Sequence, residues 1–462
     1  MKNSVFIETM GCQMNKLDSE LIAGQLSQQG FDITNDPGQA RVIIYNTCSV
    51  RQHAEDKVVS KIGQLRRRRQ QGDLVLAIVG CMAQRLGQKL LDEYPQVDVV
   101  CSPGQLHRLA DMIQLALKDR QRPLALNDAS QIEPLEQLDT TRRRQPPQAS
   151  FQAYLRVMRG CNKYCSYCVV PYVRGPEQSR PIENIVTEAG RLVDNGVREI
   201  TLLGQTVNSY QYIDGGQSYG LADVLEKVHE IEDLQRLRFV TSYPRDFDER
   251  ILHAMTDLPK VCEYLHIPAQ SGSDKILQAM NRRYTAGEYL DLIERARQIV
   301  PRITISGDFI VGFPNEDEQD FAATKDLMQK VRYKNCFIFK YSPRPATKAE
   351  RRLGDNVPDE IKRRRNTELL QLQNEISLTD NQRFIGQTVK ILIEGLSKKP
   401  HLNDSATESQ KSQPGHRPSY QLVGRTKGDH IVVFNGPTNL IGRIINVKVK
   451  KVSALTLFAE YE

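Results

Sequence analysis

Arg159 to Tyr172 read RGCNKYCSYCVVPY. Three cysteines, Cys161, Cys165 and Cys168, fall at spacings of four and three residues, with a glycine before the first and an aromatic before the last. A loop of this kind can turn three thiolates toward one point, which suits a soft metal. Three ligands leave one position open, and a 4Fe-4S cluster held by three cysteines keeps a fourth iron free for a non-protein ligand. A structural zinc site usually takes its ligands as two CxxC or HxxxH pairs. No second pair exists in this chain, so the cluster reading is preferred.

Around this loop the chain alternates strands and helices. Candidate strands are Tyr154–Met158, Glu199–Leu203, Leu237–Thr241, Glu263–Ile267, Ile303–Val311 and Cys336–Tyr341. Six such repeats predict a partial (β/α)6 barrel over residues 151–381, open on one side. The cysteine loop follows the first strand, at the C-terminal mouth where barrels hold their chemistry. Gly204-Gln205, Ser242 to Arg245, Pro268 to Ser273 and Gly312 to Pro314 follow later strands and face the same mouth. Each alone reads as an ordinary loop; their recurrence at one end is the signal. Glu360–Asn381 reads as a helix leaving the barrel, with Arg363, Arg364 and Arg365 near its start.

Residues 1–118 show a second alternation. Ser4–Thr9, Arg41–Asn46, Leu74–Val79 and Val97–Val100 read as strands, with helices such as Asp18–Gln29 and Ala54–Gln70 between them. This predicts an open parallel α/β sheet. Cys12, Cys48 and Cys81 each fall just past a strand, at the end where open sheets bind ligands. Three cysteines in one structural phase point to a second three-cysteine cluster, against the alternative of three small buried residues. Cys101 also follows a strand, and phase alone leaves it open as a ligand.

Residues 119–150 are rich in proline, glutamine and charge, and read as a linker. Residues 384–458 read as a small all-β barrel lying outside the central one, from Thr388–Glu394, Tyr420–Arg425, His430–Asn435 and Arg443–Val452. Lys448, Lys450 and Lys451 make one face of its last run basic. The stretch from Ser397 to Ser419 interrupts it with almost no large apolar residues and reads as a mobile loop.

The 462 residues suit about three domains, and a net charge of +7 allows nucleic-acid contact without demanding it. Nine cysteines in so long a chain are not a disulfide framework. Their odd count indicates a reducing compartment and metal ligation. No apolar run approaches a signal peptide or a membrane span, so a cytoplasmic protein without membrane contact is expected. The runs Arg66–Arg69, Arg142–Arg144 and Arg363–Arg365 read as solvated faces rather than RNA contacts.

TMGCQMNKLDSE, NTCSVR, VGCMAQR, RGCNKYCSYCVVPYVRG, LLGQTVNSY, HIPAQSGSDKIL with MNRRYT, and IVGFP together resemble the signatures of radical S-adenosylmethionine (SAM) methylthiotransferases. The resemblance runs from about Val5 to about Phe458. It implies two 4Fe-4S clusters, one on Cys161, Cys165 and Cys168, the other on Cys12, Cys48 and Cys81. Cys101, Cys262 and Cys336 match no family ligand and become packing residues. It also implies SAM on the open iron, with Tyr167 near its adenine and Gly204, Gln205, Ser242, Gln270 and Arg282 among its contacts, and an RNA-gripping TRAM domain at the C-terminus. The family often has GFPGET and GQNVN where this chain has Gly312 to Asp317 as GFPNED and Gly204 to Asn208 as GQTVN.

The wording CQMN, NTCSVR and CMAQR is similar to the branch that acts on N(6)-dimethylallyladenosine beside the anticodon. Sister branches modify threonylcarbamoylated adenosine or a ribosomal aspartate, and a non-enzymatic iron–sulfur RNA-binding module is the alternative from another class. The adenine C2 position has no acidic hydrogen and no leaving group, so the hard step falls to cofactors, and no side chain is expected as general base. The resemblance implies reductive cleavage of SAM at one cluster, sulfur from the other and a methyl group from a second SAM. It further implies tRNA, an external electron donor and a sulfur or cluster supply system as partners of a monomer. Because the two cysteine sets fall in different domains, loss of the N-terminal set is expected to leave the SAM site undisturbed.

Overall fold

The computed structural model describes residues 3–461 except 50–51, 67, 69–73, 128–132, 141, 143–150 and 399–419. The N-terminal sheet comprises β1 (Ser4–Met10), β2 (Asp32–Ile33), β3 (Val42–Thr47), β4 (Val75–Gly80), β5 (Val99–Cys101) and β6 (Leu124–Ala125). All pairs are parallel, in the order β2-β1-β3-β4-β5-β6. Every residue of β3 and β4 is buried, as expected of near-continuous apolar strands with helices on both faces. Ile22, Leu109 and Ile113 pack on one side of the sheet, and Val58, Ile62 and Leu90 on the other. The first helix starts at Gln13, earlier than Asp18, because Cys12 and Asn15 form its cap.

Residues 119–150 are more than a connection. Leu124–Ala125 adds the sixth strand, and Glu133–Thr140 is a helix. Apolar patterning could not reveal that helix, because its deepest anchor is a carboxylate, Asp139, which is 1% exposed.

Six parallel strands form the central domain: β7 (Gln152–Arg156), β10 (Glu199–Leu203), β13 (Arg236–Phe239), β14 (Tyr264–His266), β15 (Thr304–Val311) and β16 (Asn335–Lys340). They lie as two three-stranded sheets, β13-β10-β7 and β14-β15-β16, joined by a parallel bridge between Leu237 and Val261. Strands β7 and β16 are the edges of this open barrel. The short pair β8 (Met158–Arg159) and β9 (Gln178–Ser179) brackets the cysteine loop, and the hairpin β11 (Gln211–Asp214) and β12 (Gln217–Gly220) lies outside the barrel sheets. Helix Asp359–Asn381 packs back against β16.

The C-terminal module is a closed barrel, β17 (Thr388–Leu396), β18 (Tyr420–Arg425), β19 (Ile431–Gly436), β20 (Ile444–Val452) and β21 (Thr456–Glu460), in the order β17-β18-β19-β21-β20. Ile391, Leu422, Phe434 and Val449 fill it. Strand β21 carries the module to Glu460, past Phe458. The expected mobile stretch lies, from 399 to 419, outside the described residues. The module is fixed to the N-terminal ends of the central strands instead of standing apart. Arg238 of β13 donates to the carbonyls of Thr426 and Lys427, and Arg236 to those of Arg425 and Lys390. Thr304, at the start of β15, donates to Gly428 O at 2.7 Å.

Candidate functional site

The order of the N-terminal sheet reverses between β1 and β3, and such a switch point opens a crevice at the strand ends. The first two cysteines lie there. Cys12 caps helix Gln13–Gln28 after β1, and Cys48 directly follows β3. Cys81 opens helix Cys81–Leu86 after β4. Gly80 has φ +94°, and a Cβ there would lie 2.5 Å from Thr47 O, so the close approach of the Cys48 and Cys81 loops requires glycine. Asn15 binds the first two loops together: its Oδ1 accepts from Cys12 Sγ at 3.2 Å, and its Nδ2 donates to Asn46 Oδ1 and Thr47 O.

A hydrogen bond from Cys48 is the main reason the Cys12 thiol is pulled down to about 6; burial opposes it and the Arg174 charge assists. Cys81 is pushed up by burial, against the pull of Arg174. Cys101 is the last residue of β5 and wholly buried. Its Sγ donates to Gln105 O at 3.3 Å, and burial raises it to about 12.

The second set sits on the loop after β8. Gly160 has φ +72°, and a Cβ there would overlap Pro176 O, so the turn into Cys161 also needs glycine. Ser166 Oγ donates to Ala279 O at 2.7 Å and Asn281 Nδ2 to Tyr164 O at 2.9 Å, pinning the loop. Burial raises Cys161 to about 11 and Cys168 to about 12, each further raised by neighbouring cysteines of the loop. Metal binding must displace these protons. Tyr167 packs edge-on against Phe313, with ring centroids 6.5 Å apart.

The expected SAM contacts are brought to this mouth in different ways. Gly204 and Gln205 follow β10, and Ser242 lies beyond β13. Among the described residues, Gln205 Oε1 and Ser242 Oγ are each buried without a hydrogen-bond partner, which leaves each able to take a polar ligand. Gln270, at φ +76°, forms an isolated parallel bridge to Phe309 of β15 and lines the central cavity. Arg282 faces the cysteine loop: it donates to Pro268 O and Tyr284 Oη, and its Nη1 is 3.5 Å from Cys165 Sγ. Asn315 replaces the family's usual glycine at φ +64°, a conformation asparagine tolerates. Asn356 Oδ1 accepts its N–H at 2.9 Å and holds the turn.

One cavity of about 1470 Å³ reaches a member of each cysteine set and Gln270, while Gly204, Gln205, Ser242 and Arg282 are not among its lining residues. Cys12, Tyr167 and Cys168 line it, as do Phe337 and Phe339 of β16 and Leu455 of the C-terminal module. Among the described residues no three or more of His, Cys, Asp and Glu close on a single ion. Cysteines of a multi-iron cluster instead bind separate iron atoms, and two sets of three thiols supply that kind of donor.

The two sets are not structurally independent. Helix Val170–Arg174 continues directly from the second cysteine loop, and Val169 and Val173 pack on Cys81. Arg174 Nε donates to Cys81 Sγ at 3.3 Å, and its Nη2 to Asp18 Oδ2 at 2.9 Å. Sequence reasoning missed Arg174, whose only signal was its place just after the loop, and Asp18 and Asp139, which resemble solvated helix charges.

The basic runs divide. Arg365 is buried against Glu316, and Arg363 and Arg364 pair with Asp359, Glu318 and Glu368. Arg142 is buried and donates to Tyr154 O. Parts of the other two runs lie outside the described residues. Lys450 and Lys451 both face solvent, across an irregularity in β20.

Three family models match in chain order: Uncharacterized protein family UPF0004 over residues 4–102, the Radical SAM superfamily over 155–328 and the TRAM domain over 414–461. The tRNA-2-methylthio-N(6)-dimethylallyladenosine synthase of Rhodopirellula baltica is 43% identical over 99% of this chain and 95% of its own. That of Acidovorax is 41% identical over 100% and 98%. Among solved structures, the radical SAM methyltransferase TsrM from Kitasatospora setae, with cobalamin and a [4Fe-4S] cluster bound, superposes with a TM-score of 0.55. At 15% identity over 76% of this chain and 77% of that one, it shares the fold. With relatives this similar along its whole length, the chain belongs to the tRNA-2-methylthio-N(6)-dimethylallyladenosine synthase family of radical-SAM methylthiotransferases.

Proposed function

We propose that the protein converts N(6)-dimethylallyladenosine beside the anticodon of tRNA into its 2-methylthio derivative. The observation that carries this reading is the shared cavity: Cys12 of one set and Cys168 of the other line a single space that reaches the C-terminal module. Cys161, Cys165 and Cys168 would hold one 4Fe-4S cluster, and Cys12, Cys48 and Cys81 the other. Bound there, the clusters and SAM supply the one-electron chemistry, the sulfur and the methyl group that side chains cannot.

The chain's own residues bind, orient and exclude water. Gln205 and Ser242, each with a buried polar atom lacking a partner, would contact SAM, Tyr167 offers an aromatic face, and Gln270 lines the cavity beside it. Arg282 fixes the cysteine loop through Cys165. Phe337 and Phe339 give an extruded base apolar surface on which to rest, since RNA loops present bases that can be splayed from their stack. The basic face of the C-terminal barrel would grip the tRNA backbone.

The proposed partners are tRNA, an external electron donor and a sulfur or cluster supply system, with the enzyme acting as a monomer in the cytoplasm. Among the described residues no helix is long and apolar enough to cross a membrane. The test is mass spectrometry of tRNA nucleosides from cells lacking and then regaining the protein. The 2-methylthio nucleoside should vanish and return, with its dimethylallyl precursor accumulating in between. An unchanged nucleoside profile overturns the proposal.

A further inference from the structure

Arg174 belongs to the central domain, yet its side chain ends in the N-terminal one. Its side chain is 7% exposed, and that of Asp18, which it meets, is 1% exposed. Its Nε reaches Cys81 Sγ at 3.3 Å, and Cys81 is 4% exposed. Asp18 in turn accepts from Arg156 Nη1 at 2.9 Å, so the carboxylate that anchors Arg174 is itself held from both sides. A buried arginine with one carboxylate partner has further donors to direct, and here the Nε–H is aimed at a sulfur. Val169 and Val173 cover that sulfur, which removes competing water.

We propose that Arg174 is a positioning residue for the N-terminal cluster: its hydrogen bond and charge set that cluster's reduction potential from the domain that carries the SAM loop. This rests on the assignment of Cys12, Cys48 and Cys81 as cluster ligands. Hydrogen bonds to cluster sulfurs, net charge and solvent exposure set such potentials. Reduction adds negative charge to the cluster, so a cation fixed beside one thiolate favours the reduced form. Helix Val170–Arg174 begins two residues after Cys168, so a shift of the SAM loop would move this cation relative to Cys81. The state of one site would then be felt at the other.

The test is an EPR-monitored redox titration of full-length, anaerobically reconstituted protein, comparing wild type with Arg174→Gln and Arg174→Lys. The signal unaffected by added SAM is read as the N-terminal cluster. At a fixed potential, Arg174→Gln should lower its reduced-to-oxidised ratio about tenfold, a shift of about 59 mV to more negative potential for one electron. Arg174→Lys, which keeps the charge, should lie between the two. Should Arg174→Gln lose the cluster outright, retention of the iron by Arg174→Lys supports the same role. Potentials equal to wild type in both variants, or equal loss of iron from both, overturn it. A Cys12→Ala, Cys48→Ala, Cys81→Ala variant that retains the SAM-insensitive signal overturns the cluster assignment itself, whatever Arg174 does.

Discussion

Arg156 Nη2 lies 2.5 Å from Asp139 Oδ1, with the two side chains 3% and 1% exposed. The pair joins the first barrel strand to a helix in the 119–150 stretch, and Arg159 and Arg180 reach the same carboxylate. Burial pushes the Asp139 carboxyl up, but the three guanidiniums outweigh it and hold it well below the usual carboxylate range.

Asp139→Asn should therefore cost about 3–5 kcal/mol at neutral pH, because three buried cations lose their common partner. A group with a depressed folded pKa contributes stability above its unfolded value, near 3.9, and loses it as pH falls toward the folded value. The gap between wild type and Asp139→Asn should thus stay constant above about pH 5 and close only on acidification below about 4. Urea unfolding across pH measures it, and a gap under about 1 kcal/mol at pH 7 would contradict the hub.

His430 gives the opposite end of the chain a pH response. Burial, assisted by Lys334 and Arg383, lowers its pKa from 6.5 to about 3. The unfolded chain binds the proton first, so stability falls as pH drops from about 6.5 toward 3, by up to about 1.4 kcal/mol per pH unit. His430→Asn should flatten that part of the profile, and an unchanged slope would exclude His430 as its source.

Deleting the chain from Phe384 onward should weaken tRNA binding and reduce its salt dependence. The cysteine sets lie at the other ends of the strands, so the iron should remain. The floor of the barrel should not remain intact: Arg236 and Arg238 lose their carbonyl partners, so the truncated protein should melt at a lower temperature. Equal tRNA binding by both proteins across a salt series would remove the module from recognition.

Much of this architecture was legible because local rules agreed. Runs such as VIIYNT and VLAIVG have no place except in a covered parallel sheet, and the cysteines stood out by spacing or by strand phase. The two-residue strands β2 and β6 carry too little pattern to be seen. RLRF in β13 gives no hint that Arg236 and Arg238 dock a module whose chain lies far downstream; their acceptors are carbonyls of Lys390 and of Arg425 to Lys427, which only the folded module brings to them. Arg174 was hidden for the same reason: Asp18 and Cys81 meet it only after three strands have aligned.

Cys101 discriminates between strand phase and site geometry. Its thiol donates to the Gln105 carbonyl inside the core. Cys101→Ala should keep the full iron content and the wild-type rate of 5′-deoxyadenosine formation from SAM. Loss of about half the iron would make it a ligand.

Iron counted per chain after anaerobic reconstitution tests the two-site account most directly. The wild type should hold about eight irons, two clusters of four. The Cys161→Ala, Cys165→Ala, Cys168→Ala variant and the Cys12→Ala, Cys48→Ala, Cys81→Ala variant should each hold about four. Retention of all eight irons by either variant would contradict the account.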